Sequence, residues 1–139
     1  MALLLDEDYE ILESSGLEYE EEESSRYLIL KNFPLKDGLY VHDGDPLTEV
    51  EILVEIPPNY NTQGNNMFWT YPVLKRADGK AIPKASDVNG TDPRHYDGKE
   101  YCRWSRHWNK PKSWKPKEDN IQKIIDRITW ALTKPDANQ

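Results

Sequence analysis

The sequence predicts an α+β domain in which antiparallel strands are followed by a helix. Residues 49–56 alternate aliphatic and mostly acidic side chains, which is the pattern of a strand with one buried face. Residues 119–134 place isoleucines at helical spacing on one face, with Asp119 able to cap the start and Pro135 forbidding continuation. Strands that run in sequence and are then followed by a helix are typical of the α+β class.

Other segments complete this architecture. We expect a short N-terminal helix, an antiparallel meander of about four strands, a long coil that carries the cysteine, and the C-terminal amphipathic helix. The helix signal lies at residues 6–15, the strand signals lie at residues 17–23, 26–30, 49–56 and 67–74, and the coil begins with residues 75–100. An irregular segment of this length inside a compact domain is usually functional or disordered, and the nearby cysteine favours a function.

The composition predicts one folded domain, residues 1–139, with frayed ends at residues 1–5 and 135–139. We expect no membrane segment, because no apolar run is long enough to cross a bilayer. We also expect no signal peptide, because the first apolar residues give way at once to acidic ones. The one cysteine, Cys102, excludes an internal disulfide, so we expect a reducing compartment, the cytoplasm.

Charge is distributed unevenly along the chain, whose formal net charge is −7. Residues 1–60 carry 16 acidic and 3 basic residues, whereas residues 61–139 carry 9 acidic and 15 basic ones. Such asymmetry concerns partners rather than fold. It leaves two interpretations open, which are two solvated faces that attract each other weakly and a docking surface for a charged partner.

The basic half contains Cys102, just ahead of the C-terminal helix. Only the thiolate of a cysteine is nucleophilic, and nearby positive charge lowers the pKa of a thiol. Cys102 is therefore a candidate nucleophile, and the alternative is a small buried core thiol, which is common. The side chains close in sequence that are expected to supply positive charge are Lys99, Arg103, Arg106 and His107.

Two further functions of this region, nucleic-acid binding and metal binding, have sequence features for and against them. Residues 99–117 combine tryptophans with Arg and Lys, which suits single-stranded nucleic acid, but the net negative charge opposes phosphate binding and we expect none. A metal site would need Cys102 and the histidines, and no CxxC or HxxxH spacing is present, so we expect no metal and no other cofactor. The histidines are His42, His95 and His107.

Three local motifs resemble those of the ubiquitin-conjugating enzymes. The third strand of that fold, with the Pro-containing turn after it, is similar to EVEILVEIPPNYN, and the next strand is similar to MFWTYPVL. The family's segment after the catalytic cysteine resembles Cys102 followed by Trp114-Lys115-Pro116 and IQKIIDRITWAL. The resemblance covers residues 17–134. It is closest to the small bacterial members found beside ubiquitin-like proteins, activating enzymes and isopeptidases.

The resemblance implies a minimal version of this fold and a thioester relay. Cys102 would accept a bacterial ubiquitin-like modifier from an activating enzyme and pass it to a lysine amine. Backbone N–H groups near Cys102, or His95, would stabilise the oxyanion, and Asp97 or Asp92 would orient or deprotonate the amine. His107 would add positive charge beside the thiol. An antiviral operon and an isopeptidase partner are also implied by the resemblance.

The sequence departs from the family upstream of the cysteine. The family's His-Pro-Asn corresponds here to His95-Tyr96-Asp97, which has neither Pro nor Asn, and the helices that normally follow the Ile-rich helix are missing. This departure favours a second interpretation, a non-catalytic adaptor of the same fold that binds the modifier or the activating enzyme. A third interpretation is a nucleic-acid-binding module that uses residues 99–117.

Overall fold

The computed structural model describes residues 3–62, 67–106 and 114–136. Within these residues the fold is α+β, as predicted from the sequence. The helices are α1 (Asp6–Ser15) and α2 (Ile121–Thr133). The strands are β1 (Tyr19–Glu22), β2 (Tyr27–Pro34), β3 (Tyr40–His42), β4 (Asp45–Pro46), β5 (Glu49–Glu55), β6 (Met67–Tyr71), β7 (Lys75–Arg76), β8 (Arg94–Tyr96) and β9 (Lys99–Ser105).

The main sheet is antiparallel and, in the described part of the chain, has six strands in the order β1-β2-β5-β6-β9-β8. Strands β1, β2, β5 and β6 pair antiparallel in chain order within it. The predicted four-stranded meander is not confirmed, since β3 and β4 belong to another sheet and since β9 and β8 extend this one beyond β6. A smaller sheet places β3 between β4 and β7.

Cys102 lies in a strand, so the prediction that a coil carries it was wrong. Three of the seven residues of β9 are charged, which hid the strand in the sequence. Its buried members are nevertheless Tyr101, Cys102, Trp104 and Ser105. The hairpin that joins β8 to β9 turns at Asp97-Gly98, with φ of 52° and 74°. Two-residue hairpin turns of this kind require positive φ, and Asp-Gly is a preferred pair for them.

The main core lies between one face of the large sheet and α2. The helix buries a stripe of aliphatic side chains, each of which contributes about 1.5–3 kcal/mol relative to an exposed position. These side chains are Ile121, Ile124, Ile125, Ile128 and Leu132. On the sheet side the rings of Phe68 and Trp104 stack, with their centroids 5.5 Å apart. In the described ranges, neither helix has the length and apolar character needed to cross a membrane.

The start of α2 is capped by Asn120 rather than by Asp119. The Asn120 side-chain oxygen accepts a hydrogen bond from the backbone N–H of Gln122 at 3.0 Å, which satisfies one of the free donors of the first turn. Asp119 instead accepts hydrogen bonds from the backbone N–H of Lys115 at 2.6 Å and from Lys123 Nζ at 2.7 Å. Asp119 therefore holds the turn that leads into the helix.

The buried carboxylate of Asp8 joins the two helices. It accepts hydrogen bonds from the backbone N–H of Leu5 at 2.9 Å, the Tyr60 hydroxyl at 2.9 Å and the backbone N–H of Ile121 at 2.8 Å. Both backbone donors lie at helix N-termini, where N–H groups lack intrahelical partners and the helix dipole favours negative charge. Burial, with the charge of Asp8, raises the pKa of Tyr60, so its hydroxyl stays a donor.

We predict that Asp8→Ala lowers the free energy of unfolding by about 3 kcal/mol, because it leaves the buried N–H of Ile121, the Tyr60 hydroxyl and the N–H of Leu5 without their acceptor. Urea denaturation followed by circular dichroism measures this change. Glu10→Ala, an exposed position on the same helix, is the matched control and should stay within about 0.5 kcal/mol of the wild type. Equal midpoints for the two variants would contradict the role given to Asp8.

Candidate functional site

The structure places Cys102 in the middle of β9, on the sheet face that carries Trp104. Strand pairing sets it directly opposite Thr70 of β6. Side chains that oppose each other in an antiparallel pair share one face, with Cβ atoms about 4.5–5.5 Å apart. Cys102 is 1% exposed, yet it belongs to neither of the contiguous apolar clusters of the described residues. Cys102 is nevertheless one of the buried apolar residues of the described chain, on the same sheet face as Phe68 and Trp104.

The surroundings of Cys102 keep its thiol protonated. Burial raises the pKa of the Cys102 thiol to about 11, and the charges of Glu100 and Asp87 act in the same direction. Lys75 acts in the opposite direction but is outweighed. A rise of about two units reduces the thiolate fraction at neutral pH by about 100-fold. Within the described residues, the prediction that neighbouring cations lower the thiol pKa was therefore wrong.

The cations near the thiol in sequence have other partners. Lys99 Nζ lies 3.0 Å from the Glu51 carboxylate, and an Arg103 nitrogen lies 3.6 Å from the Asp92 carboxylate. Arg106 is buried, and its guanidinium donates to three backbone carbonyl oxygens at 2.9, 3.0 and 3.4 Å. All three cations have hydrogen-bond or ion-pair partners within the chain, so their positions give no support to a surface that binds nucleic acid.

A segment that we call the cover segment, residues 84–92, pairs with the C-terminal part of β9, which β8 leaves unpaired. The backbone N–H of Ser86 donates to the carbonyl oxygen of Arg103 at 2.8 Å, and that of Ser105 donates to the carbonyl oxygen of Lys84 at 3.0 Å. Ala85 and Trp104 form an isolated antiparallel bridge between these two bonds. The cover segment therefore shields the edge of the strand that carries the thiol.

Side chains fasten the rest of the cover segment. The Asp87 carboxylate forms an ion pair with Lys75 Nζ, and the backbone N–H of Asn89 donates to the Glu100 carboxylate at 2.7 Å. The side chains of Lys75 and Asp87 are 54% and 61% exposed, so their ion pair contributes at most about 1 kcal/mol. At its other end the cover segment is held by Asp92, whose backbone carbonyl oxygen accepts a hydrogen bond from Trp69 Nε1 at 2.9 Å and whose carboxylate pairs with Arg94.

A cavity of about 280 Å³ separates the cover segment from β7. Its lining consists of residues 74–76, 79–82 and 85–87. The wall formed by Ala85 and Ser86 is the part of the chain that pairs with β9 at Trp104 and Arg103, immediately next to Cys102. Cys102 itself is not part of the cavity lining.

The other predicted site residues lie at different distances from the thiol. His95 is exposed in β8, opposite Glu100, on the sheet face of Cys102 and two strand positions from it. Asp97 is the first residue of the hairpin turn, five residues from Cys102 along β9, or roughly 16 Å at the usual rise of a strand. The structure thus places His95 nearer to the thiol than Asp97. His107 lies outside the described residues.

No feature of the sequence pointed to Thr70 as a site residue. Thr70 is 0% exposed, and within the described residues its hydroxyl has no hydrogen-bond partner. A buried hydroxyl without a partner costs about 1–3 kcal/mol. Thr70 stands among aromatic residues in β6, and nothing local shows that it opposes Cys102. That juxtaposition depends on the pairing of β6 with β9.

The histidine-rich metal site considered from the sequence does not assemble in the structure's described ranges. His42 lies in β3 of the smaller sheet, whereas His95 and Cys102 lie in the large sheet. In those ranges no group of three or more His, Cys, Asp or Glu side chains is arranged to hold a metal ion.

Comparison with known protein families identifies the family of this chain. The model of prokaryotic E2 family E matches residues 4–135, a range that contains both helices and all the strands named above. The chain belongs to prokaryotic E2 family E. The predicted resemblance to bacterial ubiquitin-conjugating-enzyme-like proteins is thereby confirmed, and membership in this family indicates an E2-like function. No curated protein and no solved structure matches the chain.

We predict that the single thiol of the native protein reacts with 5,5′-dithiobis(2-nitrobenzoate) at least about 100-fold more slowly than that of the urea-unfolded protein, because its pKa is raised. Asp87→Asn removes the ion pair with Lys75 and should speed native labelling by up to about fivefold. Absorbance of the released thionitrobenzoate measures both rates.

Asp78→Asn is the matched control, because Asp78 pairs with Arg76 on the far side of the cavity and makes no bond to the cover segment. Its labelling rate should equal that of the wild type. A native thiol that reacts as fast as the unfolded one would show that Cys102 is not enclosed.

Proposed function

We propose that this protein is an E2-like carrier that accepts a ubiquitin-like modifier as a thioester on Cys102 and passes it to a lysine amine. Family membership supports the E2-like function. The observation that carries the chemistry is the position of the only thiol, which lies in β9 beside the residues that pair with the cavity wall and directly opposite Thr70, whose buried hydroxyl has no hydrogen-bond partner within the described residues.

The proposed transfer consists of two acyl exchanges. The Cys102 thiolate attacks the carbonyl carbon of the thioester between the modifier and the activating enzyme. A new C–S bond forms, and the thiolate of the activating enzyme leaves. A lysine amine then attacks the new thioester, Cys102 leaves as a thiolate, and the proton of the amine passes to a base or to solvent. A thiolate suits both steps because it is a good nucleophile and a good leaving group.

The relay requires the cover segment to move, because Cys102 is 1% exposed in the closed arrangement. Opening at residues 84–89 breaks the two backbone hydrogen bonds to β9, the hydrogen bond of Asn89 to Glu100 and the surface ion pair of Lys75 with Asp87. Removing the burial that raises the thiol pKa returns the thiol towards ordinary acidity. The closed arrangement therefore keeps the thiol unreactive until a partner engages the protein.

The other predicted site residues differ in how well their positions suit a role in the transfer. His95 is the best placed of them to orient an incoming amine, since it is exposed on the face of Cys102. Asp97 forms the hairpin turn and would act on the amine only at a distance. The proposed role of His107, positive charge beside the thiol, rests on its place five residues after Cys102 in the sequence.

The proposed partners are a bacterial ubiquitin-like modifier and its activating enzyme, acting in the cytoplasm. The acidic first 60 residues, with 16 acidic and 3 basic side chains, would attract a basic surface on one of these partners. Removal of the modifier by an isopeptidase and a role in antiviral defence complete the proposal, and they rest on the family resemblance alone.

A second candidate function is an E2-like adaptor that binds the modifier or the activating enzyme without forming a thioester. The burial of Cys102 and its raised pKa favour this candidate, because both oppose nucleophilic attack from the closed arrangement. The two candidates share the fold and the partners. They differ in whether a covalent bond forms on Cys102.

We predict a covalent adduct of modifier and protein when the purified protein is mixed with ATP, the activating enzyme and the modifier. On a non-reducing gel the adduct should disappear with dithiothreitol, because a thioester exchanges with thiols. Cys102→Ala should abolish the adduct, whereas Cys102→Ser should give an ester that resists dithiothreitol.

Each alternative result has a definite meaning. An adduct that persists in Cys102→Ala would place the acceptor elsewhere and refute the relay on this residue. Stable co-elution of wild type and Cys102→Ala with either partner, with no adduct in either case, would establish the adaptor.

A further inference from the structure

The hydroxyl of Thr70 is a buried donor without a hydrogen-bond partner within the described residues. Thr70 is 0% exposed, and its Oγ1 has no hydrogen-bond partner within the described residues. Strand pairing puts it directly opposite Cys102, so both side chains point to the same side of the sheet. Leaving such a group unpaired in the interior lowers stability, and valine would fill the same space without that cost.

We propose that Thr70 is a catalytic residue that donates its hydroxyl hydrogen bond to the oxyanion formed when Cys102 is acylated. This inference rests on the proposed thioester relay and assigns the donor that the relay requires. In an acyl transfer the negative charge develops on the carbonyl oxygen, and a donor fixed beforehand beside that oxygen stabilises the transition state.

Other hydroxyl and imidazole groups near Cys102 are less suited to this role. Ser86 Oγ donates to the carbonyl oxygen of Thr91 at 3.2 Å, so it already has a partner. His95 is exposed to solvent, which weakens a hydrogen bond to a developing charge. Thr70 has neither limitation, and its position on a central strand of the large sheet fixes its backbone.

The proposed step balances without any oxidant or reductant. The Cys102 thiolate adds to the carbonyl carbon, and the π electrons of the carbonyl move to oxygen. Thr70 O–H donates a hydrogen bond to that oxyanion and keeps its proton. The oxyanion then collapses, the bond to the thiolate of the activating enzyme breaks, and the Thr70 hydroxyl returns to its starting state.

Thr70→Val and Thr70→Ser separate this role from a structural one. We expect Thr70→Val to melt at the same temperature as the wild type or higher, because it removes an unpaired buried hydroxyl. Its single-turnover rate of thioester formation should fall by about 10²-fold, the usual effect of losing one oxyanion donor. Thr70→Ser should retain a rate close to that of the wild type, because it keeps the hydroxyl.

A matched control and a second measurement exclude other causes. Thr129→Val changes a threonine of α2 whose hydroxyl donates to the carbonyl oxygen of Ile125 at 2.9 Å, and it should leave the transfer rate unchanged. Labelling of Cys102 with 5,5′-dithiobis(2-nitrobenzoate) involves no carbonyl, so Thr70→Val should label at the wild-type rate. Equal slowing of labelling and transfer would overturn the oxyanion role.

The experiment also distinguishes failure of this inference from failure of the proposed function. Wild-type transfer by Thr70→Val, in a system where Cys102→Ala forms no adduct, would refute the role of Thr70 and leave the relay intact. Absence of any adduct with the wild-type protein would refute both.

Discussion

The pairing of β9 with β6 is the constraint on which the site depends. Four residues of each strand are paired, and the two-residue repeat of a strand then decides which side chains face the core. Cys102 and Trp104 face one side, while Tyr101 packs with Trp69 in the small cluster on the other. A shift of one residue would exchange these faces and bring Cys102 to the opposite side. The register therefore fixes both the burial of the thiol and its position opposite Thr70.

The sequence predicted the regular elements more accurately than the site. The range predicted for α1 and the strand ending near residue 56 are close to those observed, because strong periodicity and turn residues mark them. The strand β9 was missed, since Lys99, Glu100 and Arg103 break its apolar pattern. Its burial comes from long-range pairing, which no local pattern records. Thr70 and the cover segment were missed for the same reason.

The prediction that nearby cations lower the pKa of the Cys102 thiol was wrong for a related physical reason. Short sequence separation does not decide which charge a long side chain meets. Lys99 and Tyr101 both bond to Glu51 on the other face of the sheet, and burial outweighs every nearby cation in setting the pKa of the thiol. The structure thus presents a protected thiol, and a protected thiol in an E2-like protein reacts only if its cover is movable.

The proposed relay requires that binding of the activating enzyme uncovers Cys102. Pulsed alkylation with iodoacetamide, read by mass spectrometry of the peptide that contains Cys102, measures this directly in the complex with the activating enzyme and without ATP. We predict faster alkylation in the complex than in the free protein. Alkylation that stays equally slow in the complex, while the modifier still reaches its target lysines, would contradict the claim and show that Cys102 does not carry the modifier.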